Sequence, residues 1–422
     1  MVMALAGSAI GLGNIWRFPY MVGEHGGGAF IVIYIAFSLL IALPAFFAES
    51  IIGKATGSDT FGAMEKLTGG SKWKHAGYIS ILASFVILSF YSVVGGWSVD
   101  YFVRSLSGGF SHESLESAKE TFSAMSSSTF ELLASTIAFL TFTALIVLGG
   151  VKKGIGLFNK ISMPLLLVMI LLIAVVSLRL PGASAGLEYL LKPDFSKLDG
   201  ATVAAALGQS FFSLSLGVGT ILTYSSYMRK EENVMHTGIW TAVFDTLFAL
   251  LAGIAIMPAV FAAGIQPGTG PSLVFETLPV IFSHMGVIVP ILFFLSILIA
   301  ALSSAISMLE VVVAWLVDQK NMKRRTAVLL VYLCTCVLAC VCALMPKVFS
   351  AIDFMSSNVL MMAGAFVFVM VVGWKMGKGE VRKQFTNYGT SRSSARVFPV
   401  VWLLIRYLAP VMIIAIAVSN FL

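Results

Sequence analysis

Charge is scarce in this sequence. Asp, Glu, Lys and Arg together make up 11% of the residues, against 58% for the hydrophobic types. A soluble domain carries about a quarter of its residues charged, so that class is excluded at the outset. The residue types that do chemistry are equally thin. None of the five histidines sits in HExxH, and no Gly-rich phosphate loop occurs. "GLGNIW" has two glycines of a dinucleotide-binding pattern but lacks the third and a preceding strand. No basic stripe interleaved with aromatics speaks for nucleic acid. All four cysteines fall in "CTCVLACVC", residues 334–342. Cys336 and Cys340 share a helix face, but thiols in an apolar helix serve mainly as small packing residues. Neither histidine nor carboxylate stands by to complete a metal set. With no base–nucleophile pair in view, the chain does not read as an enzyme.

What the sequence has in abundance is long apolar runs. Eleven segments approach the roughly 20 residues that a bilayer core demands: about 1–22, 29–53, 76–104, 131–149, 157–178, 201–228, 234–263, 287–316, 327–345, 350–374 and 397–421. No charged start with a small-residue cleavage site precedes them, so a secretory leader is not expected. The expectation is one polytopic, all-α membrane domain over 1–422, in the cell membrane and embedded in lipid. Lys and Arg crowd alternate loops, as at Lys152, Lys153, Arg229, Lys230, Lys323, Arg324 and Arg325. That bias places these loops, and the N-terminus, on the cytoplasmic side. The net charge of +7 is then a topology signal. Of the polar stretches, 112–128 ("HESLESAKETFSAMSSS") reads as a loop starting a short surface helix, and 376–396 as a basic cytoplasmic linker.

One apolar run contradicts itself. "AGSAIGLGNIWRFPY", residues 6–20, holds Gly7, Gly11 and Gly13 together with Asn14 and the charged Arg17. Glycine makes a helix interruption cheap around 10–13. Small residues in membrane helices often serve only close packing, but a second break decides against that reading. "FFSLSLGVGTILTYSSY", residues 211–227, repeats the spacing at Gly217 and Gly219. Each break opens a block of five spans, about 1–180 and 200–375, with an extra span at about 397–421. Because five is odd, the second block crosses the membrane in the opposite sense. Interrupted helices at corresponding positions of two inverted halves point to a transport site near the bilayer midplane. Asp245, a lone acid in "TAVFDTLFALLAG", adds an ion-path signal.

"GSAIGLGNIWRFPY", "GEHGGGAF", "FFSLSLG" and "AALSSAISM" resemble the neurotransmitter:sodium symporter family from the first span to the eleventh. The resemblance implies the five-plus-five inverted repeat of the leucine-transporter fold, with helices 1 and 6 broken, and sodium-coupled import of a small molecule. By similarity, a first sodium ion would be held by Ala9, Asn14, Ser213 and Asp245. A second would be held by the carbonyls of Gly7, Ile10 and Ala300 and the hydroxyls of Ser303 and Ser304. Gly11 stands where monoamine carriers have an acid, so the cargo implied is an amino acid. Its carboxylate would meet Tyr91 and the N–H groups of Leu12 and Gly13. Its amine would meet the carbonyls of Ala9 and Phe212 and the Ser215 hydroxyl, and Ser213 would also contact the substrate. Its side chain would face Ser8, Ile87, Phe212, Val218, Ser304 and Met308. Val218 replaces the phenylalanine of the leucine transporter, so a bulky apolar or aromatic cargo is expected.

Gates follow from the same resemblance. Arg17 and Asp353 would close from outside over Tyr91 and Phe212, while Tyr227 and Asp318 would belong to a cytoplasmic gate. The family's arginine partner upstream of the first span is not in this sequence, so either the natural start lies further upstream or the inner latch is incomplete. Tyr34, Gln209 and Ser213 match the chloride site of animal relatives, but Ala249 stands in place of its serine. Asp245 would supply the missing negative charge, so chloride is not expected to be required. GABA or a betaine-like solute are the alternative cargoes. An amino-acid-sensing receptor is a further reading, with no appended soluble domain to support it. The oligomeric state is left open.

Overall fold

Backbone that leaves a helix inside lipid must be covered by other protein, because no water is there to satisfy its N–H and C=O groups. The computed structural model of the chain describes residues 1–108, 110, 114–265, 274–283 and 285–419. Nine helices among these are long and apolar enough to cross a membrane. They are Gly28–Thr56, Lys72–Leu106, Thr129–Leu148, Val151–Leu178, Val234–Ala262, Ile288–Lys320, Arg324–Leu344, Pro346–Lys375 and Arg392–Ser419. Their ends fall within a few residues of the apolar runs, as expected where hydrophobic length sets helix length.

The first and sixth runs are the two that do not form continuous helices. The first runs as Val2–Ala9, leaves the helix at Ile10, and resumes through a wide turn at Gly13–Arg17 into Phe18–Glu24. The sixth runs as Gly200–Ser213, unwinds, and resumes as Thr220–Ser226. Both breaks are buried, and Ile15, Phe211 and Leu216 are fully enclosed. In chain order the eleven runs are the first to eleventh spans.

Local chemistry sets the helix starts. Asp199 accepts from the Thr202 N–H to open the sixth, and Asn233 from the His236 N–H to open the seventh. The expected surface helix is present as Leu115–Ser127, its N-terminus capped by Ser114. The 376–396 segment differs from expectation. It contains a helix, Lys378–Phe385, and the eleventh span begins at Arg392. Val381 and Phe385 explain the difference, because they bury an apolar edge that a mostly charged stretch does not advertise.

Candidate functional site

The two breaks meet, and side chains from neighbouring helices satisfy the backbone groups that they release. At the first break the Gly11 N–H donates to the Asn14 side-chain oxygen (3.0 Å), and the Leu12 N–H donates to Tyr91 Oη (3.4 Å). The Gly13 carbonyl accepts from Gln209 (3.0 Å), and the Ile10 carbonyl from the Ser303 hydroxyl (2.9 Å). Ser215 and Ser304 both direct hydroxyls at the Ser8 carbonyl, at 3.4 and 3.5 Å. At the second break the Gly217 N–H donates to a Glu49 carboxylate oxygen (2.7 Å), and the Val218 carbonyl accepts from Ser84 (2.7 Å).

Two oxygen-rich clusters result. In one, Asn14 Nδ2 donates to Asp245 Oδ1 (2.7 Å) and to the Ser213 hydroxyl (3.2 Å), and Ser213 donates to Asp245 Oδ2 (2.7 Å). Tyr34 aims its hydroxyl at both Ser213 (3.2 Å) and Asp245 (3.3 Å). All four groups are buried. In the other cluster, Ser303 donates to the carbonyls of Ile10 and Ala300 (2.8 Å for Ala300), beside Ser304. Hydroxyl, carbonyl and carboxylate oxygens are the ligands that hard cations choose.

Residues of both breaks line a cavity of about 40 Å³. Ala9, Leu12, Gly13, Ile87, Tyr91, Phe212, Ser215, Val218, Ser304 and Met308 line it, all of them among the residues expected to contact cargo. Two predicted residues lie behind its wall. Ser8 presents its carbonyl to two hydroxyls while its own side chain is buried without a partner among the described residues. Ser213 turns to Asp245. Ser307 and Met361 line the cavity and were not foreseen. Met361 lies on the tenth span, where no local feature marks an apolar residue as pocket rather than packing.

The gates differ from expectation. Among the described residues no ion pair joins Arg17 to Asp353. Arg17 instead lies over the Phe212 ring, 4.3 Å from its centre, and Asp353 accepts from Ser357 (3.2 Å). Phe212 and Met361 separate the inner cavity from an outer one of about 280 Å³ that Arg17 lines. At the other end, Tyr227 donates to Glu310 (2.9 Å), which is ion-paired with Arg324. Asp318 accepts from the Asp59 N–H (3.3 Å), so Tyr227 and Asp318 share no partner here. The sequence reading missed Glu49 and Glu310. Each is a lone acid in an apolar run, the same signal that marked Asp245.

Broken helices whose freed backbone faces a shared cavity define a membrane transporter of the leucine-transporter fold. The comparisons agree. The sodium:neurotransmitter symporter family model matches residues 1–128 and 110–422, and the chain belongs to that family. It is 38% identical to the sodium-dependent transporter YhdH of Bacillus subtilis, over 98% of this chain and 94% of that one. It is 35% identical to a sodium-dependent transporter of Haemophilus influenzae, over 99% and 96%. The crystal structure of MhsT in complex with L-phenylalanine superposes with a TM-score of 0.90 at 37% identity, covering 100% of this chain and 98% of that one. The chain is therefore a sodium-dependent, multi-pass membrane transporter and not an enzyme.

Proposed function

We propose that this protein imports a bulky apolar or aromatic L-amino acid together with two sodium ions, by alternating access, with its N-terminus cytoplasmic. The meeting of the Leu12 N–H with Tyr91 Oη beside Gly11 carries the reading. Two polar groups converge there on a spot that, among the described residues, no acid lines, so the carboxylate of an amino acid fits it. In the first cluster Asn14, Ser213 and Asp245, with the Ala9 carbonyl, would take one sodium. In the second the Ser303 hydroxyl proton now links the carbonyls of Ile10 and Ala300. A cation would replace that proton's link by collecting the oxygens of Gly7, Ile10, Ala300, Ser303 and Ser304.

Chloride is not required on this reading. Two sodium ions and a zwitterion bring net positive charge to a low-dielectric midplane, where uncompensated charge is costly. The Tyr34 and Ser213 hydroxyls, which would cradle chloride, are directed at the Asp245 carboxylate. That carboxylate supplies the compensating charge from within the protein.

The outer lid is shut by Phe212 under Arg17. A cavity of about 40 Å³ is small beside the roughly 300–1,000 Å³ of ordinary ligand pockets, so entry of a bulky cargo requires Phe212, Met308 and Met361 to move. MhsT holds L-phenylalanine, and Val218 leaves room on the wall for a side chain of that class.

Uptake of radiolabelled amino acids into proteoliposomes tests the proposal. An inward sodium gradient should drive accumulation of L-phenylalanine or L-leucine, unchanged when gluconate replaces chloride. Val218→Phe should shift preference toward smaller amino acids by about 1–3 kcal/mol. Equal transport with potassium in place of sodium, or glycine as the best substrate, would show the reading to be wrong.

A further inference from the structure

The fifth span, Val151–Leu178, turns one face to the protein and the other to lipid. Asn159, Ser162, Met163, Leu166, Met169, Ile170 and Ile173 are buried, at the spacing of a single helix face, whereas Leu157, Ile161, Leu165 and Val168 are exposed. Asn159 stands on that buried face, one turn after the buried Ile155, and is 1% exposed. Neither its amide oxygen nor its amide nitrogen has a hydrogen-bond partner among the described residues. A buried amide left unpaired is costly because it has given up its water without gaining a partner, and polar side chains within membrane helices mark ion and substrate paths.

What Asn159 touches gives it a task. A methyl group built on Gly7 would sit 2.6–2.8 Å from the Asn159 side-chain carbon, oxygen and nitrogen. The amide thus lies directly on the Gly7 backbone, and only glycine permits that approach. Gly7 is one of the residues assigned above to the second sodium, and the same fifth span packs against the eighth, which carries Ala300 and Ser303. An amide oxygen is a hard, neutral ligand of the kind that suits an alkali cation beside backbone carbonyls.

We propose that Asn159 adds a side-chain oxygen to the sodium held by Gly7, Ile10, Ala300, Ser303 and Ser304, so that the second cation site is built from three spans rather than two. The inference rests on the second sodium site proposed above and extends it to the fifth span. The amide waits unpaired when no cation is bound, and its oxygen gains a partner when sodium enters. Because the fifth span lies beside the inner half of the first, Asn159 also links sodium occupancy to the position of that span.

The test reads sodium binding directly, without substrate. The full chain is purified in detergent, and its Tm is followed while sodium replaces N-methyl-D-glucamine at constant ionic strength. The variants are Asn159→Ala, the volume-matched Asn159→Leu, Asn159→Asp and, as a reference for the site itself, Ser303→Ala. We expect Asn159→Ala and Asn159→Leu to raise the sodium concentration for half-maximal stabilisation about tenfold. Their Tm without sodium should be equal to or above that of the wild type, since an unpaired amide has been removed. Asn159→Asp, which keeps an oxygen in place, should stay at or below the wild-type midpoint. If the Ala and Leu variants keep the wild-type midpoint while Ser303→Ala raises it, Asn159 holds only a trapped water and the proposal fails alone. If Ser303→Ala also leaves the midpoint unchanged, the second sodium site fails and takes this proposal with it.

Discussion

At the first break the chain leaves its helix through Ile10, in an extended conformation (φ −72°, ψ 106°), and Gly11 and Gly13 keep ordinary negative φ. At the second it turns through three left-handed residues, Ser215 (φ 53°), Gly217 (φ 79°) and Gly219 (φ 82°). Both breaks are spelled Gly-x-Gly, yet glycine answers a different need in each. In the first, the missing side chains clear space. A methyl on Gly11 would run into the Ser304 hydroxyl, and one on Gly13 would press on the Phe212 ring at 3.1 Å. In the second, glycine supplies a backbone conformation that costs other residues about 1–2 kcal/mol. Gly217 also packs its backbone against Met361 and Gly364 of the tenth span. The second break is therefore a fixed corner, while the first is a closely fitted surface against the cavity.

Substitutions sharpen this contrast, and the largest effect is expected at the corner. Gly217→Ala adds left-handed strain and drives its methyl into the Met361 carbonyl, a backbone group that cannot swing aside. It should abolish folded, monodisperse protein, judged by size-exclusion chromatography in detergent. A variant that purifies with unchanged Tm would show that the corner is not fixed.

Next comes Asp245→Asn, which acts where the two breaks are tied together through Asn14 and Ser213. Transport in sodium gluconate should be lost, and chloride should restore part of it, more so when Ala249→Ser is added. Full activity of Asp245→Asn in gluconate would show that the compensating charge lies elsewhere.

Gly11→Ala should be milder for the fold, because the atom it meets is the end of a serine side chain. Displacing Ser304 should weaken sodium-dependent substrate binding by about 1–3 kcal/mol, measured by scintillation proximity, with expression near wild type. Loss of folding instead would make the two breaks alike. Gly13→Ala should do least. The Phe212 ring must yield a few tenths of an ångström, so substrate affinity should change by less than about 1.5 kcal/mol. The midpoint of sodium-induced stabilisation should not move.

Much of this architecture is legible in the sequence because the bilayer leaves few choices. Apolar length gives the spans, and a glycine pair recurring in the second block gives the breaks. Asp245 announced itself by being the wrong residue for an apolar run. Glu49 and Glu310 bore the same mark, but their partners, the Gly217 N–H and Arg324, lie on other elements. The placing of Tyr227 on Glu310 rather than toward Asp318, and the rest of Arg17 on Phe212 rather than on Asp353, are choices among nearby partners. Composition cannot rank such choices.

The sequence by itself determined that this is a polytopic membrane transporter with two interrupted helices, because hydrophobic length and helix-breaking residues act locally and the membrane enforces them. Only the tertiary structure decided why each glycine is needed, that Ser8 offers its carbonyl and hides its hydroxyl, that Met361 closes the pocket, and that Asn159 rests on Gly7. These depend on distances of a few ångströms between residues far apart in the chain. Such distances are fixed by packing, to which many side chains contribute at once and no single stretch of sequence gives the answer.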